Sequence, residues 1–365
     1  MDSQLNTEKD TVGVIGLMSG TSLDGLDCCY VEFQASGDSY IYSNLITKSI
    51  PYQANWKQKL KNAFFSSPKE LEEVDKEYGK FLGEQVNAFI AEKKLSGKID
   101  VIASHGHTIF HQPLNGITVQ IGSGEEILKS THINVINDFR ITDVKLGGQG
   151  APLVPVGDHF LFSDFEACLN LGGFSNISLI DNKERIAFDV SPCNLPINLL
   201  MQQEFRLDYD NKGEKAKAGK ISKSLFADLN GLSFYTQSHP KSLGVEWLNQ
   251  NFMPIVAKHD QLKIEDILNT VTEHIAFQIA QVLNKFELKN VLITGGGVFN
   301  DFLIQRLKSQ TSTKIIIPEP ELVEFKEAIV FAFLGYLNLK NKINTLKSVT
   351  GALDDSIGGI RHFFH

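Results

Sequence analysis

Gly16-Leu17-Met18-Ser19-Gly20-Thr21-Ser22-Leu23-Asp24-Gly25-Leu26-Asp27 lies between two apolar runs, Thr11-Val12-Gly13-Val14-Ile15 and Cys28-Cys29-Tyr30-Val31-Glu32-Phe33. Two β-branched runs joined by a Gly- and Ser-rich stretch predict a β-hairpin with this segment at its tip. Glycines at 16, 20 and 25 let a ligand approach the backbone, and the Ser and Thr hydroxyls with successive amides can donate to an anion. Asp24 and Asp27 would repel a phosphate there, so a phosphate cradle calls for Mg²⁺ held largely through water. An ordinary polar turn uses the same residue types. The segment is not a P-loop, since no Lys-Ser/Thr pair follows its last glycine.

Further strands are predicted at 40–50, 99–104, 117–121 and 133–137, with a helix from Leu71 to Lys94 whose apolar residues recur at helical spacing. The second half repeats the order: strands at 167–171, 177–180 and 185–190, a long helical region, then strands at 291–294 and 314–317. Each half opens with an apolar strand entering a glycine turn, the second at Leu171-Gly172-Gly173-Phe174. Two such hairpins can grip one polyphosphate. This duplicated order is the one the actin, Hsp70 and sugar-kinase superfamily uses. The expected fold is α/β, with two ribonuclease-H-like (actin/hexokinase-type) domains of mixed sheets flanked by helices and a central nucleotide cleft. The expected domains are 1–155, with the phosphate loop and part of the sugar site, and 156–365, with the second phosphate hairpin and the adenosine pocket. The final helix is expected to pack back on the first domain.

Four groups of residues carry candidate chemistry. Thr294-Gly295-Gly296-Gly297-Val298-Phe299-Asn300 follows a buried strand and precedes a helix, which suits an adenosine pocket or a tight strand-to-helix turn. Asp189 ends a strand before Ser191-Pro192-Cys193-Asn194, and is either a general base in a cleft or the cap of the next helix. Glu327 opens an apolar helix, where the helix dipole favours a carboxylate in any case. Arg140, close to Asp138, either pairs with it or holds a substrate anion by its planar fork. His105, His107 and His111 have no carboxylate at ligand spacing, which points away from zinc and towards hydrogen bonding to a polar substrate or a structural role. Lys212 to Lys220 is expected to be a solvated loop or helix end.

The chain has 365 residues, 42% of them hydrophobic, enough for two domains. Its 35 basic and 43 acidic residues give a net charge of −8, the wrong sign for a nucleic-acid binder. The polar first ten residues lack the apolar stretch of a secretory signal, and Cys28, Cys29, Cys168 and Cys193 form no CxxC pair. A reduced cytoplasmic protein with no membrane role is the expectation.

The segments GLMSGTSLDGLD, SHGHTIFHQP, VQIGSGEEI, DFRITDVKLGGQGAPLVP, LNLGGFSNISL, FDVSPCN, TGGGVFN and SVTGA resemble, in order and over almost the whole chain, the anhydro-N-acetylmuramic acid kinases of bacterial cell-wall recycling. The resemblance implies ATP and Mg²⁺ as cofactors and a coupled reaction with water. The 1,6-anhydro ring of the sugar is opened while the γ-phosphate passes to O6, giving N-acetylmuramic acid 6-phosphate. It implies Asp189 as general base, with Glu327 assisting. Gly20, Thr21, Ser22, Leu23, Asp24, Gly25, Leu26 and Asp27 form the ATP phosphate loop; Gly172, Gly173, Gly295, Gly296, Gly297 and Asn300 complete the nucleotide site. His105, Arg140 and Asn194 are assigned to the sugar, and a homodimer is common in the family. Many members carry Gly-Pro-Gly-Asn where this chain has Ser191-Pro192-Cys193-Asn194, which bears on how Asp189 is aimed. The alternatives are a catalytically silent sensor of nucleotide or muropeptide sugar, and a kinase for another sugar.

Overall fold

The structure, a computed structural model, describes residues 9–20, 23–37 and 39–364. Thr21 and Ser22 of the expected phosphate loop lie outside the described residues. The chain divides into two compact units, residues up to 162 together with 325–365, and residues 163–324.

In the first unit, β1 (Thr11–Ser19), β2 (Gly25–Ser36) and β3 (Ser39–Pro51) form an antiparallel meander. Strand β4 (Val101–Gln112) pairs parallel with β1, and β5 (Ile117–Ile121) folds back on β4. Strand β6 (Val135–Asn137) pairs parallel with β4. Strand β1 is apolar on both faces because both are covered: Val12, Val14, Ile15 and Leu17 are all buried. One cover is the helix Pro68–Lys93, which presents Tyr78, Leu82, Val86 and Phe89 to the core. It starts where a Ser67–Glu70 capping box satisfies its first amides.

The helix Pro320–Leu339 covers Gly16: a Cβ there would stand 2.2 Å from the Ala328 carbonyl oxygen. A Cβ on Gly25 would stand 2.5 Å from the Ile50 carbonyl oxygen. These two glycines, expected to serve a ligand, are required for the chain's own close packing.

In the second unit, β7 (Ala167–Leu171), β8 (Phe174–Asp181) and β9 (Glu184–Pro192) form the meander. Strand β10 (Asn290–Thr294) pairs parallel with β7, and β11 (Lys314–Ile316) with β10. Parallel pairing needs a crossover, and the link from β9 to β10 includes the helix Ile264–Lys285. Its Leu268, Val271, Ile275, Ile279 and Leu283 are buried in the core.

Counted within each unit, the second sheet runs third, second, first, fourth, fifth, and the first sheet runs third, second, first, fourth, sixth, its fifth strand being the hairpin arm folded back on the fourth. This duplicated ribonuclease-H-like order is the expected one. Two local features differ from expectation. Strand β4 runs on through His111 instead of turning before it, with Gly106 at φ 73°. A further strand, β12 (Ile360–His362), extends the first sheet by pairing antiparallel with β6. Ile-Arg-His has no periodicity to announce a strand; the open edge of β6 supplies its partner.

All four cysteines are buried and none is in a disulfide. Among the described residues, no helix is long and apolar enough to cross a membrane.

Candidate functional site

Ser19 ends β1 at the start of the loop. Its buried hydroxyl meets His107 Nδ1 at 2.9 Å and accepts from the Tyr52 hydroxyl at 2.7 Å, and Tyr52 in turn contacts the Tyr78 hydroxyl. Burial lowers His107 to about 4, so the ring is neutral. This chain anchors the root of the loop, and Ser19, Tyr52, Tyr78 and His107 were not singled out as loop supports from the sequence. Leu23 takes the left-handed conformation at φ 61°, an uncommon state for a leucine and one found at functional loops. Asp24 is exposed, while the Leu26 side chain is in the core, which leaves only its backbone for a ligand.

Arg140 and His105 form one assembly. His105 Nδ1 lies 2.9 Å from the Gly106 carbonyl oxygen and donates to it, so Nε2 is the acceptor for Arg140 Nε at 3.1 Å and Nη2 at 2.9 Å. Arg140 Nη1 donates to the Gly150 carbonyl at 2.6 Å. Burial, then the Arg140 charge, hold His105 well below the usual histidine range. Burial also lowers Arg140 to about 10, against the pull of Glu327. Arg140 does not pair with Asp138, whose carboxyl has no hydrogen-bond partner among the described residues. Both members of the assembly lie against the helix that bears Glu327: the His105 ring is tilted by 51° to that of Phe331, one turn beyond Glu327, with centroids 4.5 Å apart, and the Arg140 guanidinium lies 5.9 Å over the same Phe331 ring. Glu327 is reached by solvent yet crowded by protein on most sides. That crowding raises its carboxyl above the usual range, with Arg140 acting in the opposite direction. Contrary to expectation Glu327 does not open its helix: it lies inside Pro320–Leu339, beyond the first turn where the dipole favours a carboxylate.

Asp143 is fully buried and ties the glycine-rich link together. One carboxylate oxygen accepts from the Gly150 amide at 2.7 Å and the other from the Thr350 hydroxyl at 2.6 Å. Asp143→Ala would leave those donors unpaired and is expected to cost about 2–4 kcal/mol, read as a lower urea midpoint with an unchanged slope.

In the second unit, Asp189 sits beside a β-bulge: Asn176 pairs with Asp189 and Ser175 with Ser191, leaving Val190 as the extra residue. Bulges of this kind re-aim side chains. Asp189 Oδ2 accepts from the Leu243 amide at 2.7 Å, and Oδ1 has no hydrogen-bond partner among the described residues. Asp189 does not cap the next helix, whose N-cap is Cys193, with no side-chain cap. Burial raises the Asp189 carboxyl, while the Leu243 amide lowers it by less.

The Ser191 and Cys193 departures are absorbed by the core. Ser191 is buried, its hydroxyl 3.0 Å from that of Ser175. Cys193 is buried with φ −131°, outside the region that favours glycine, and burial pushes its thiol up to about 12.

Gly172 and Gly173 use their carbonyls internally, accepting from the amides of Asn194 at 3.1 Å and of Cys193 at 2.9 Å. The second hairpin thus docks the start of the helix Asn194–Phe205.

Glycines 295 to 297 have separable roles. Gly295 has φ 85° and ψ 159°, a conformation nearly confined to glycine. A Cβ on Gly297 would stand 2.7 Å from the Leu171 Cβ. Gly296 is exposed, and a Cβ on it would meet nothing closer than Asn194 Nδ2 at 3.9 Å. Gly296 opens on a cavity of about 420 Å³ also lined by Asn194, Asn198, Tyr209, Lys212, Phe299 and Asn300. That volume suits a small ligand. Asn194 donates to the Leu171 carbonyl at 2.9 Å, and Asn300 caps the helix Asp301–Lys308 through the Leu303 amide at 3.0 Å. Sequence reasoning assigned Asn194 to the sugar, whereas its side chain lines this cavity with Gly296.

Tyr209 and Phe299 expose 63% and 48% of their surface at the cavity. Neither they nor Lys212 were identified from the sequence. The 212–220 segment is not simply a solvated charge run: Gly213 and Ala216 are buried, and Lys212 takes φ 56°. Small residues between the lysines carried that signal.

A duplicated sheet of this order, with a glycine-lined ligand cavity beside its first strand, defines the sugar-kinase and actin class of folds. Solved structures align with the chain only loosely. Component A of the Acidaminococcus fermentans (R)-2-hydroxyglutaryl-CoA dehydratase gives a TM-score of 0.45 at 10% identity, covering 90% of this chain and 99% of that one. The chain belongs to the anhydro-N-acetylmuramic acid kinase family, whose model matches residues 12–363. It is 34% identical to the anhydro-N-acetylmuramic acid kinase of Francisella tularensis subsp. novicida, over 96% of this chain and 98% of that protein. It is also 34% identical to that of Hydrogenovibrio crunogenus, over 94% and 96%. The protein is accordingly a kinase.

Proposed function

We propose that this kinase hydrolytically opens the ring of 1,6-anhydro-N-acetylmuramic acid and phosphorylates O6 with ATP, giving N-acetylmuramic acid 6-phosphate. The observation that carries the catalytic assignment is Asp189: a bulge-aimed carboxylate with one oxygen fixed by the Leu243 amide, the other without a hydrogen-bond partner among the described residues, and a raised pKa. A base with these properties suits abstraction of a proton from water.

Asp189 takes the proton as the water oxygen bonds to C1. The C1–O6 electron pair moves to O6, O6 bonds to the γ-phosphorus, and ADP leaves with the pair of the broken P–O bond. No separate proton removal from a C6 hydroxyl is needed, because ring opening itself generates the nucleophile. Glu327 assists at the sugar. Arg140 retains two guanidinium N–H groups beyond its contacts to His105 and Gly150, and it acts mainly as a fixed positive charge. His105 fixes Arg140 and does not grip the sugar itself.

The first unit would hold the phosphates through residues 20–27, and the second would hold the adenosine in the cavity that Gly296, Phe299 and Tyr209 line. Among the described residues no cluster of three or more His, Cys, Asp or Glu side chains forms a metal cage. Asp24 and Asp27 fit Mg²⁺ bound through water and phosphate oxygens, which needs only one or two carboxylates. When bound, Mg²⁺ offsets the charge of the β- and γ-phosphates. The ATP supply places the reaction in the cytoplasm, and a homodimer is the proposed assembly.

The test is turnover of the anhydro sugar with ATP and Mg²⁺ in ¹⁸O-labelled water. Label at C1 together with phosphate at O6 is the expected product. Ligand binding without turnover would instead indicate a sensor, and turnover of glucose or N-acetylglucosamine a kinase of other specificity.

A further inference from the structure

The segment from Ser233 to Trp247 follows no strand or long helix, yet it is held at several points. Tyr235 donates its hydroxyl to His274 Nε2 at 2.7 Å. The direction follows from the neighbours. Asn230 Nδ2 is committed to the Phe226 carbonyl at 2.8 Å, so Asn230 Oδ1 accepts, receiving Gln278 Nε2 at 2.7 Å and His274 Nδ1 at 2.8 Å. Burial lowers His274 to about 3, which keeps Nε2 free of a proton and able to accept.

Further along, His239 stacks on Phe188 at 5.5 Å with an interplanar angle of 18°, next to Asp189 in sequence. Lys241 turns its Nζ inward: it donates to the Phe234 carbonyl at 3.1 Å and lies 4.4 Å over the Phe234 ring. A lysine whose ammonium serves a backbone carbonyl of its own segment spans and fixes that segment. The same residue's carbonyl accepts from the Asp189 amide at 3.0 Å, and two residues on the Leu243 amide donates to Asp189 Oδ2 at 2.7 Å. Backbone atoms at 241 and 243 thus bracket Asp189, and the Lys241 side chain holds that backbone in place.

We propose that Lys241 is a positioning residue for Asp189, its ammonium locking the 233–243 segment so that the Leu243 amide aims the carboxylate. The catalytic consequence rests on Asp189 being the general base; the geometric one does not. Titratable groups on the surrounding elements are His239 and Lys241 on the segment itself, Asp181 near His239 at 3.5 Å, and Lys285, a like charge that repels the Lys241 ammonium.

The test follows the Asp189 carboxyl by ¹³C NMR titration, assigned by difference against Asp189→Asn, in wild type and in Lys241→Met, Lys241→Arg and Tyr235→Phe. Lys241→Met keeps the stem and removes the donor. It is expected to raise the Asp189 titration midpoint by about half a unit to one unit, because the Leu243 amide no longer holds the charged form. If Asp189 is the base, kcat falls roughly tenfold at neutral pH, its acid limb moves up by the same amount, and KM for ATP does not change. Lys241→Arg restores part of both effects. Tyr235→Phe, which loosens the segment elsewhere, shifts the midpoint in the same direction by less and serves if Lys241→Met fails to fold. An unshifted Asp189 midpoint in folded Lys241→Met overturns the proposal. Should Asp189→Asn retain turnover while Lys241→Met still shifts the midpoint, the base assignment fails and the positioning role stands.

Discussion

Asp189→Asn is expected to lower kcat by about 10²–10⁴-fold, the usual contribution of a positioned proton acceptor. Binding of ATP should be unchanged, since the asparagine oxygen still accepts from the Leu243 amide. In the wild type the base works only when ionised. Because burial raises its pKa, kcat should fall on acidification at a higher pH than an ordinary aspartate would give.

The same substitution has an opposite effect on stability. Between the ordinary aspartate value and the raised one, the folded state binds more protons than the unfolded state, so stability falls as pH rises through that window. The penalty stays in full at neutral pH. Asp189→Asn removes it, so the variant should melt above wild type at pH 7–8, and the two curves should converge as pH falls below the ordinary carboxylate range. A variant less stable than wild type at pH 8 would show that desolvation is not the dominant influence on this carboxyl.

Neighbouring glycines should separate folding from nucleotide binding. Gly295→Ala places a Cβ 2.5 Å from Asn170 Oδ1 and 2.9 Å from the Leu171 backbone, at φ 85°. Backbone strain of about 1–3 kcal/mol adds to overpacking of about 1–3 kcal/mol. The expected result is a large loss of stability by urea or thermal unfolding. Gly296→Val makes only an ordinary contact at its Cβ, with Asn194 Nδ2 at 3.9 Å, and should fold normally. Its branches project into the cavity of about 420 Å³, so KM for ATP should rise roughly ten- to a hundredfold. Unchanged nucleotide affinity in folded Gly296→Val would remove the adenosine pocket from this cavity.

The sequence by itself determined the two meanders, because both are runs of apolar and β-branched residues whose burial is set locally by pattern, and each is punctuated by glycine. It also determined the family, through long ordered segments such as GLMSGTSLDGLD. The location of Asp189 was legible because it stands where an apolar run meets a turn, whereas Glu327, read as opening its helix, lies inside the helix Pro320–Leu339. Only the tertiary structure decided what each polar side chain and glycine does. Gly16 and Gly25 serve packing and Gly296 faces the cavity, yet in the sequence each is only a glycine beside a strand. His105 faces Arg140 instead of solvent, and Tyr209, Lys212 and Phe299 join a cavity whose lining comes from three separate stretches of chain. Lys241 reaches Asp189 across more than fifty residues. Pattern and propensity act over a few neighbouring residues, whereas hydrogen-bond partners, burial and the pKa shifts that follow depend on which distant segments the packed core brings within a few ångströms.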